Sequence, residues 1–309
     1  MKDTTIIRNR GGYNVLVVYG GISERIPSLE TGKNVAKALR ENGHDVVLYD
    51  FTNIQEFIKI LDEVKPDIVF NALHGKFGED GKIQGLLDLL HIPYTHSGAK
   101  ASTIGMDKTL TKKLAQSINI PVAPSQTMLF KDFIAHGTDI AMPYVIKPNN
   151  EGSSVGVYII KEQQDLNNLE IDDNVEVLIE KFIDGREFTV GIINGKPIEV
   201  TEICPLTGFY NFENKYQPGK SKHILPADVS SSIRAKLMSY TKQLYDILGC
   251  RSVARADFRY NPTDGIILLE INTQPGMTST SLLPEQAAYK KQTFNELCEA
   301  ILQSAQFDY

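Results

Sequence analysis

Cysteine is scarce in this sequence: the 309 residues include only Cys204, Cys250 and Cys298, far apart and without CxxC spacing. Three thiols cannot all pair, which points to free, buried cysteines in a reducing compartment. Long apolar runs are missing too. No stretch approaches the length of a membrane span, and Met1 to Gly12 carries Lys2, Arg8 and Arg10 but no apolar signal-peptide core, so the expectation is a cytoplasmic chain with no membrane partner. Positive charge is in deficit, with 32 Lys plus Arg against 38 Asp plus Glu and a net charge of -6. That argues against a broad surface for a nucleic-acid backbone. Two familiar phosphate loops are also absent: GxxxxGK[ST] does not occur, and Gly20-Gly21-Ile22-Ser23-Glu24-Arg25 lacks the GxGxxG spacing. There is no internal repeat and no low-complexity segment.

What is present reads as an α/β protein with α+β character toward its end. Tyr13 to Tyr19 is a β-branched run ending at Gly20-Gly21. A helical stretch after Ser28, with Val35 and Leu39 on one face, closes at Gly43. Asp45 to Tyr49 and Asp67 to Leu73 repeat the strand pattern around a helix at Ile54 to Val64, so about the first 95 residues read as a Rossmann-like parallel layer. Ligands of such sheets sit at the carboxyl ends of the strands, which marks Gly20 to Pro27 and His74 to Gly81. After Lys100 helix gives way to short strands at Tyr144 to Lys147, Val155 to Ile160, Val175 to Phe182 and Glu187 to Ile193. Asn194-Gly195 signals a hairpin into Lys196 to Ile203. Leu206 to Pro226 has no clear period and reads as a mobile loop. A helix then carries Ile233, Leu237, Tyr240, Leu244 and Ile247 on one face, with Gly249 as its C-cap.

The stretch Ser252 to Gly276 is the most informative. Two strand-like runs flank Asn261-Pro262-Thr263-Asp264-Gly265, and a turn centred between Thr263 and Asp264 would set Asp257 opposite Glu270. Alternation places Arg255 with Asp257 on one face and Glu270 with Asn272 on the other strand's matching face. Two carboxylates and an amide then converge beside an arginine, a donor set suited to Mg²⁺, which completes its shell with water and phosphate oxygens. A carboxylate following the buried-type run Ile266 to Leu269 would be costly without a partner. A second cluster, Lys147 to Gly156, is a Gly/Ser-rich turn with a lysine at its entrance, able to approach an anion or to be a plain hairpin. Lys108 and Lys215-Tyr216 could add cations around a triphosphate. Glu180-Lys181 could meet a nucleotide at a strand end. Glu24 fits an ammonium partner, and His74 a hydrogen-bonding role.

Taken in order along the chain, HGKFGEDGKIQGLL, IPYTHSG, MDK, IKPNNEGSSVGV, NKY, ARADF and LLEINTQPGMTSTSLLP resemble the D-alanine–D-alanine ligase family. The resemblance implies an ATP-grasp fold in three lobes: an N-terminal Rossmann-like substrate lobe at 1–100, a central lobe at 101–185, and a C-terminal lobe at 186–309 with a metal site and closing loop. ATP would lie between the last two lobes. By that pattern Lys108, Lys147, Glu180, Lys181, Ile183, Glu187 and Lys215 hold the nucleotide, and Asp257, Glu270 and Asn272 bind two Mg²⁺ or Mn²⁺. Glu24 takes the first D-alanine's ammonium and, with Ser153 and Tyr216, links the loops over the site. His74 joins the substrate contacts, and Ser281 and Leu282 position the second substrate's carboxylate.

The implied reaction starts with a D-alanine carboxylate attacking the γ-phosphate, while Lys215 neutralises developing charge. A second D-alanine's amine attacks the acyl phosphate, with Arg255 and the Gly276 N–H stabilising the oxyanion. The product, D-alanyl-D-alanine, would feed peptidoglycan synthesis. The resemblance further implies a homodimer and raises a monovalent cation such as K⁺. Three departures stand out: a shortened first loop, GGISERIPSL, and His96 and Gln274 where the family commonly has smaller residues. The alternatives are a ligase making D-alanyl-D-lactate or D-alanyl-D-serine, and a catalytically silent module sensing ATP or an amino acid.

Overall fold

In the computed structural model, residues 11–153, 155–205 and 221–308 are described. The chain runs β1 (Asn14–Gly20), α1 (Arg25–Glu41), β2 (Asp45–Phe51), α2 (Ile54–Val64), β3 (Ile68–Asn71), α3 (Lys82–Leu89), α4 (Ala99–Met106) and α5 (Lys108–Ser117). There follow β4 (Ser125–Leu129), α6 (Phe130–His136), β5 (Tyr144–Pro148), β6 (Tyr158–Ile160), β7 (Glu176–Lys181), β8 (Arg186–Ile193), β9 (Lys196–Pro205) and β10 (Ser221–Ile224). The last elements are α7 (Ser231–Leu248), β11 (Val253–Asn261), β12 (Gly265–Asn272), α8 (Leu282–Tyr289) and α9 (Phe294–Gln303).

The first sheet is parallel, in the order β2-β1-β3. Val15 to Val18 of its central strand are all apolar and fully buried because both faces are covered. Val15 and Val17 point into a core shared with Val35 and Leu39 of α1, whereas Leu16 and Val18 point to the opposite core with Phe57, Leu61, Ile83 and Leu87. The first of these cores is completed from the far end of the chain, by Leu283 of α8 and by Leu297, Cys298, Ile301 and Leu302 of α9. The strand ends therefore sit beside residues 273–281, which run from β12 to α8.

Two antiparallel sheets make up the rest, β4-β7-β5-β6 and β10-β9-β8-β11-β12. The Asn194-Gly195 turn takes positive φ at both residues, 47° and 73°, as a two-residue hairpin between β8 and β9 requires. Helix α7 is capped by Ser230 and ends on Gly249 at φ 71°. Its buried stripe differs from the expected one at the C-terminal end: Leu237, Thr241, Leu244, Tyr245 and Leu248 are buried, while Ile247 is exposed. Four-residue steps from Leu237 and Leu244 reach Thr241 and Leu248, so the stripe turns away from Ile247.

Other boundaries move as well. Helix α1 begins at Arg25, before Ser28. Ser28 Oγ accepts from the Gly20 N–H at 2.8 Å and donates to the Ala72 carbonyl at 2.7 Å, tying the ends of β1 and β3 together. Val155 and Gly156 form a turn, and the strand starts only at Tyr158. Ser221 to Ile224, read as loop, pair with β9. Among the described residues, no helix is long and apolar enough to cross a membrane.

Candidate active site

The hairpin β11-β12 brings together the residues expected to do so. Asp257 pairs with Glu270, and Arg255 with Asn272. The turn, however, is centred on Thr263, since Asn261 pairs with Gly265 and Phe258 with Leu268. An irregularity next to Asp257 leaves Leu269 without an opposite residue, and this bulge restores the Asp257–Glu270 pairing. On the same face Thr189 Oγ1 donates to Asp257 Oδ1 at 2.6 Å, and Arg259 binds Glu187 at 2.7 Å. Arg255 engages Asp257 through two hydrogen bonds, 3.0 and 2.8 Å.

Lys147 on β5 and Glu180 on β7 are diagonal neighbours of one sheet face, because Lys147 pairs with Leu178 and Val145 with Glu180. Lys147 meets Glu180 at 2.5 Å, and Lys112 of α5 approaches the other carboxylate oxygen at 2.6 Å. All three side chains are buried. Burial works to raise the Glu180 pKa, but the two ammonium groups outweigh it and hold the carboxyl down at about 2. Burial also pulls the Lys112 ammonium below its ordinary range despite Glu180. Lys112 was missed from sequence, although it lies four residues after Lys108 and so on the same face of α5. Lys108, the first residue of α5, reaches the Glu151 carbonyl at 2.5 Å and comes within 3.9 Å of Glu270.

From the first sheet come Glu24 and His74. Glu24 stands at the head of α1 with φ 45°, and its carboxylate accepts from Ser153 Oγ. A Cβ on neighbouring Gly152 would lie 2.6 Å from Glu24 Oε1, so a side chain there would push the Glu24 carboxylate aside. The shortened first loop therefore leaves Glu24 long enough to meet the Gly/Ser turn. Lys76 and Glu151 form a further ion pair between the two loops at 2.8 Å. His74 is buried between Thr31 Oγ1 at 3.1 Å and Glu79 Oε1 at 3.2 Å. Burial acts to lower its pKa, but the bond to Glu79, the Glu79 charge and the Glu24 charge raise it overall.

These residues line two adjoining clefts. The first holds Glu24, His74, Ser153, Arg255, Asn272, Gly276, Ser281 and Leu282; the second holds Lys147, Glu180, Lys181, Ile183, Glu187 and Asp257. Lys108, Glu151, Gly152 and Glu270 belong to both. Lys181 is half-exposed and paired with Asp264 at 2.6 Å. Lys215 and Tyr216 lie outside the described residues. His96 belongs to the core: it is buried, edge-on to Phe70 at 5.5 Å, and burial, His74 and Arg251 lower its pKa to about 3, so the ring is neutral.

Among the described residues no three His, Cys, Asp or Glu side chains surround a common point. Asp257 and Glu270, at directly opposed strand positions, and Asn272 two residues further along β12 nevertheless offer hard oxygens at the place where the two clefts meet. That donor set fits a divalent ion that draws most of its ligands from phosphate and water.

A family model described as D-ala D-ala ligase C-terminus matches residues 114–303, and one described as D-ala D-ala ligase N-terminus matches residues 59–97. The D-alanine–D-alanine ligase of Agrobacterium fabrum is 44% identical over 306 residues, spanning 96% of this chain and 98% of that protein. A crystal structure of the D-alanine–D-alanine ligase from Bacillus anthracis complexed with ATP superposes with a TM-score of 0.79 at 29% identity, covering 94% of this chain and 95% of that one. The VanG D-Ala:D-Ser ligase from Enterococcus faecalis follows with a TM-score of 0.76 at 27% identity, covering 93% and 97%.

Proposed function

The chain belongs to the D-alanine–D-alanine ligase family, with its ATP-grasp fold, and from that premise we propose that it joins two D-alanine molecules with ATP, supplying D-alanyl-D-alanine for peptidoglycan precursors. The observation that carries this reading is the shared wall of the two clefts, where Lys108, Glu151, Gly152 and Glu270 border both at once. A phosphoryl group held in one cleft can there be reached by a carboxylate held in the other.

In the proposed mechanism Lys147 and Lys108 draw the phosphates into the second cleft, while Glu180, Lys181, Ile183 and Glu187 border the rest of the nucleotide. Two Mg²⁺ held by Asp257, Glu270 and Asn272 would neutralise the charge that develops on the phosphates. Glu24 binds the ammonium of the first D-alanine, placing its carboxylate at the shared wall to attack the γ-phosphorus and form an acyl phosphate as ADP leaves. Ser281 and Leu282, at the start of α8, orient the second D-alanine through its carboxylate. Its neutral amine attacks the acyl carbon, Arg255 and the Gly276 N–H stabilise the oxyanion, and the C–O bond to phosphate breaks as the nitrogen gives up one proton, which leaves with the phosphate. For Arg255 to do this, its two hydrogen bonds to Asp257 must loosen, as they would where Asp257 held a metal ion. Lys215 and Tyr216 complete the set. The same reading carries a homodimer in the cytoplasm.

Purified protein with Mg-ATP tests the assignment: phosphate release should require D-alanine rather than L-alanine or D-lactate, with the dipeptide identified by mass. Equal release with D-lactate or D-serine would place the chain with the ligases of altered second substrate, to which VanG is related in name. In that case replacement of Tyr216 should shift the ratio between amine and hydroxy-acid substrates.

A further inference from the structure

Gln274 has no place in the mechanism above, yet its side chain is only 2% exposed and runs from the third sheet to the first. Its backbone N–H donates to Asn272 Oδ1 at 2.7 Å, turning the chain as it leaves β12. Its amide nitrogen donates to the Leu73 carbonyl, in the peptide link just before His74. Its amide oxygen accepts from Asn71 Nδ2 at 2.9 Å. A peptide carbonyl can only accept, so the amide's orientation is fixed. Asn71, fully buried at the end of β3, also donates to the Gly78 carbonyl at 2.8 Å and accepts from the Leu73 N–H at 3.2 Å. Two residues beyond Gln274, a Cβ on Gly276 would lie 3.9 Å from His74 Nε2. The two loops thus face each other across the first cleft, and Gln274 is the side chain that ties one to the other.

We infer that Gln274, seated on Asn71 and the Leu73 carbonyl, is a positioning residue for acyl transfer, holding the Gly276 N–H at a fixed distance from the His74 loop. This rests on the ligase reading and on the oxyanion role proposed there for Gly276. A side chain that served only to fill space could be exchanged for one of equal volume. Gln274 is instead held at both ends by directional bonds, and a loop that carries an oxyanion donor must keep its geometry to within a fraction of an ångström.

Two variants test this. Gln274→Met keeps the length and loses both bonds: kcat for dipeptide formation should fall at least about tenfold and the KM of the second D-alanine should rise, with ATP affinity within about twofold of wild type. Gln274→Asn keeps the amide but is one methylene too short to reach both the Leu73 carbonyl and Asn71, so its kcat and KM should change in the same direction as those of Gln274→Met. Gln274→Met with kcat and KM within about twofold of wild type overturns the inference. If Gln274→Met does not fold, Gln274→Asn with kcat and KM within about twofold of wild type overturns it. Wild-type protein that makes no dipeptide refutes the ligase reading and this inference with it, whereas active wild type beside an unaffected variant refutes this inference alone.

Discussion

Asp257 faces Glu270 because β12 carries one residue more than β11 between the turn and that pair. Without the bulge at Leu269, Asp257 would face Leu269 and the two carboxylates would fall out of register. Loss of one of the paired carboxylates, in Glu270→Ala, should therefore abolish activity. The half-buried Glu270 side chain is not part of a core, so the Glu270→Ala melting temperature should stay near wild type. Turnover within about tenfold of wild type in Glu270→Ala would mean that the metal site is elsewhere.

Glu180 neutralises two buried lysines. Replacement by Gln leaves Lys112 and Lys147 facing an uncharged amide, with an expected loss of about 3–5 kcal/mol of stability in denaturant unfolding. The acid dependence follows from the same ion pairs. Because its folded-state pKa is depressed from 4.5 to about 2, Glu180 contributes stability that is present above 4.5 and disappears as pH falls toward 2. The stability difference between wild type and Glu180→Gln should shrink across that interval. A constant difference would contradict the ion-pair assignment.

His74 has its pKa raised above 6.5, through Glu79 and Glu24 acting against burial. Its imidazolium charge is thus present at low pH and lost as pH rises through the raised value. If that charge helps receive a D-alanine carboxylate, the KM for D-alanine should rise over the same range, and His74→Gln should show a higher, flatter KM profile. A wild-type KM independent of pH would remove the charge from substrate binding.

Ser153 and Glu24 link the Gly/Ser turn to the head of α1. Loss of this bond in Ser153→Ala should raise the KM for D-alanine about fivefold, corresponding to about 1 kcal/mol, with little change in ATP binding. An equal weakening of ATP and D-alanine would point to a general disturbance of the turn instead.

Local pattern made much of this architecture readable. The β-branched run at Tyr13 to Tyr19 and the helix at Ile54 to Val64 needed only periodicity, and Asn194-Gly195 dictated its own turn. Pairing of Asp257 with Glu270 was also reached, but from a turn placed half a residue too far along. The bulge that compensates is a tertiary feature with no local signature. Lys112 and the closing of the first sheet by α9 escaped notice because both depend on contacts between distant segments. His96 could not be placed from sequence, since a histidine's role depends on what surrounds it, here Phe70 and Thr95 in the core.

Transfer of oxygen from D-alanine to phosphate is the most direct test of chemistry at the shared wall of the two clefts. With D-alanine labelled with ¹⁸O in its carboxylate, attack on the γ-phosphorus followed by attack on the acyl carbon must leave one labelled oxygen in each phosphate released, alongside D-alanyl-D-alanine. Phosphate that carries no label while ATP is consumed would contradict the acyl-phosphate route and show that water, not D-alanine, receives the phosphoryl group.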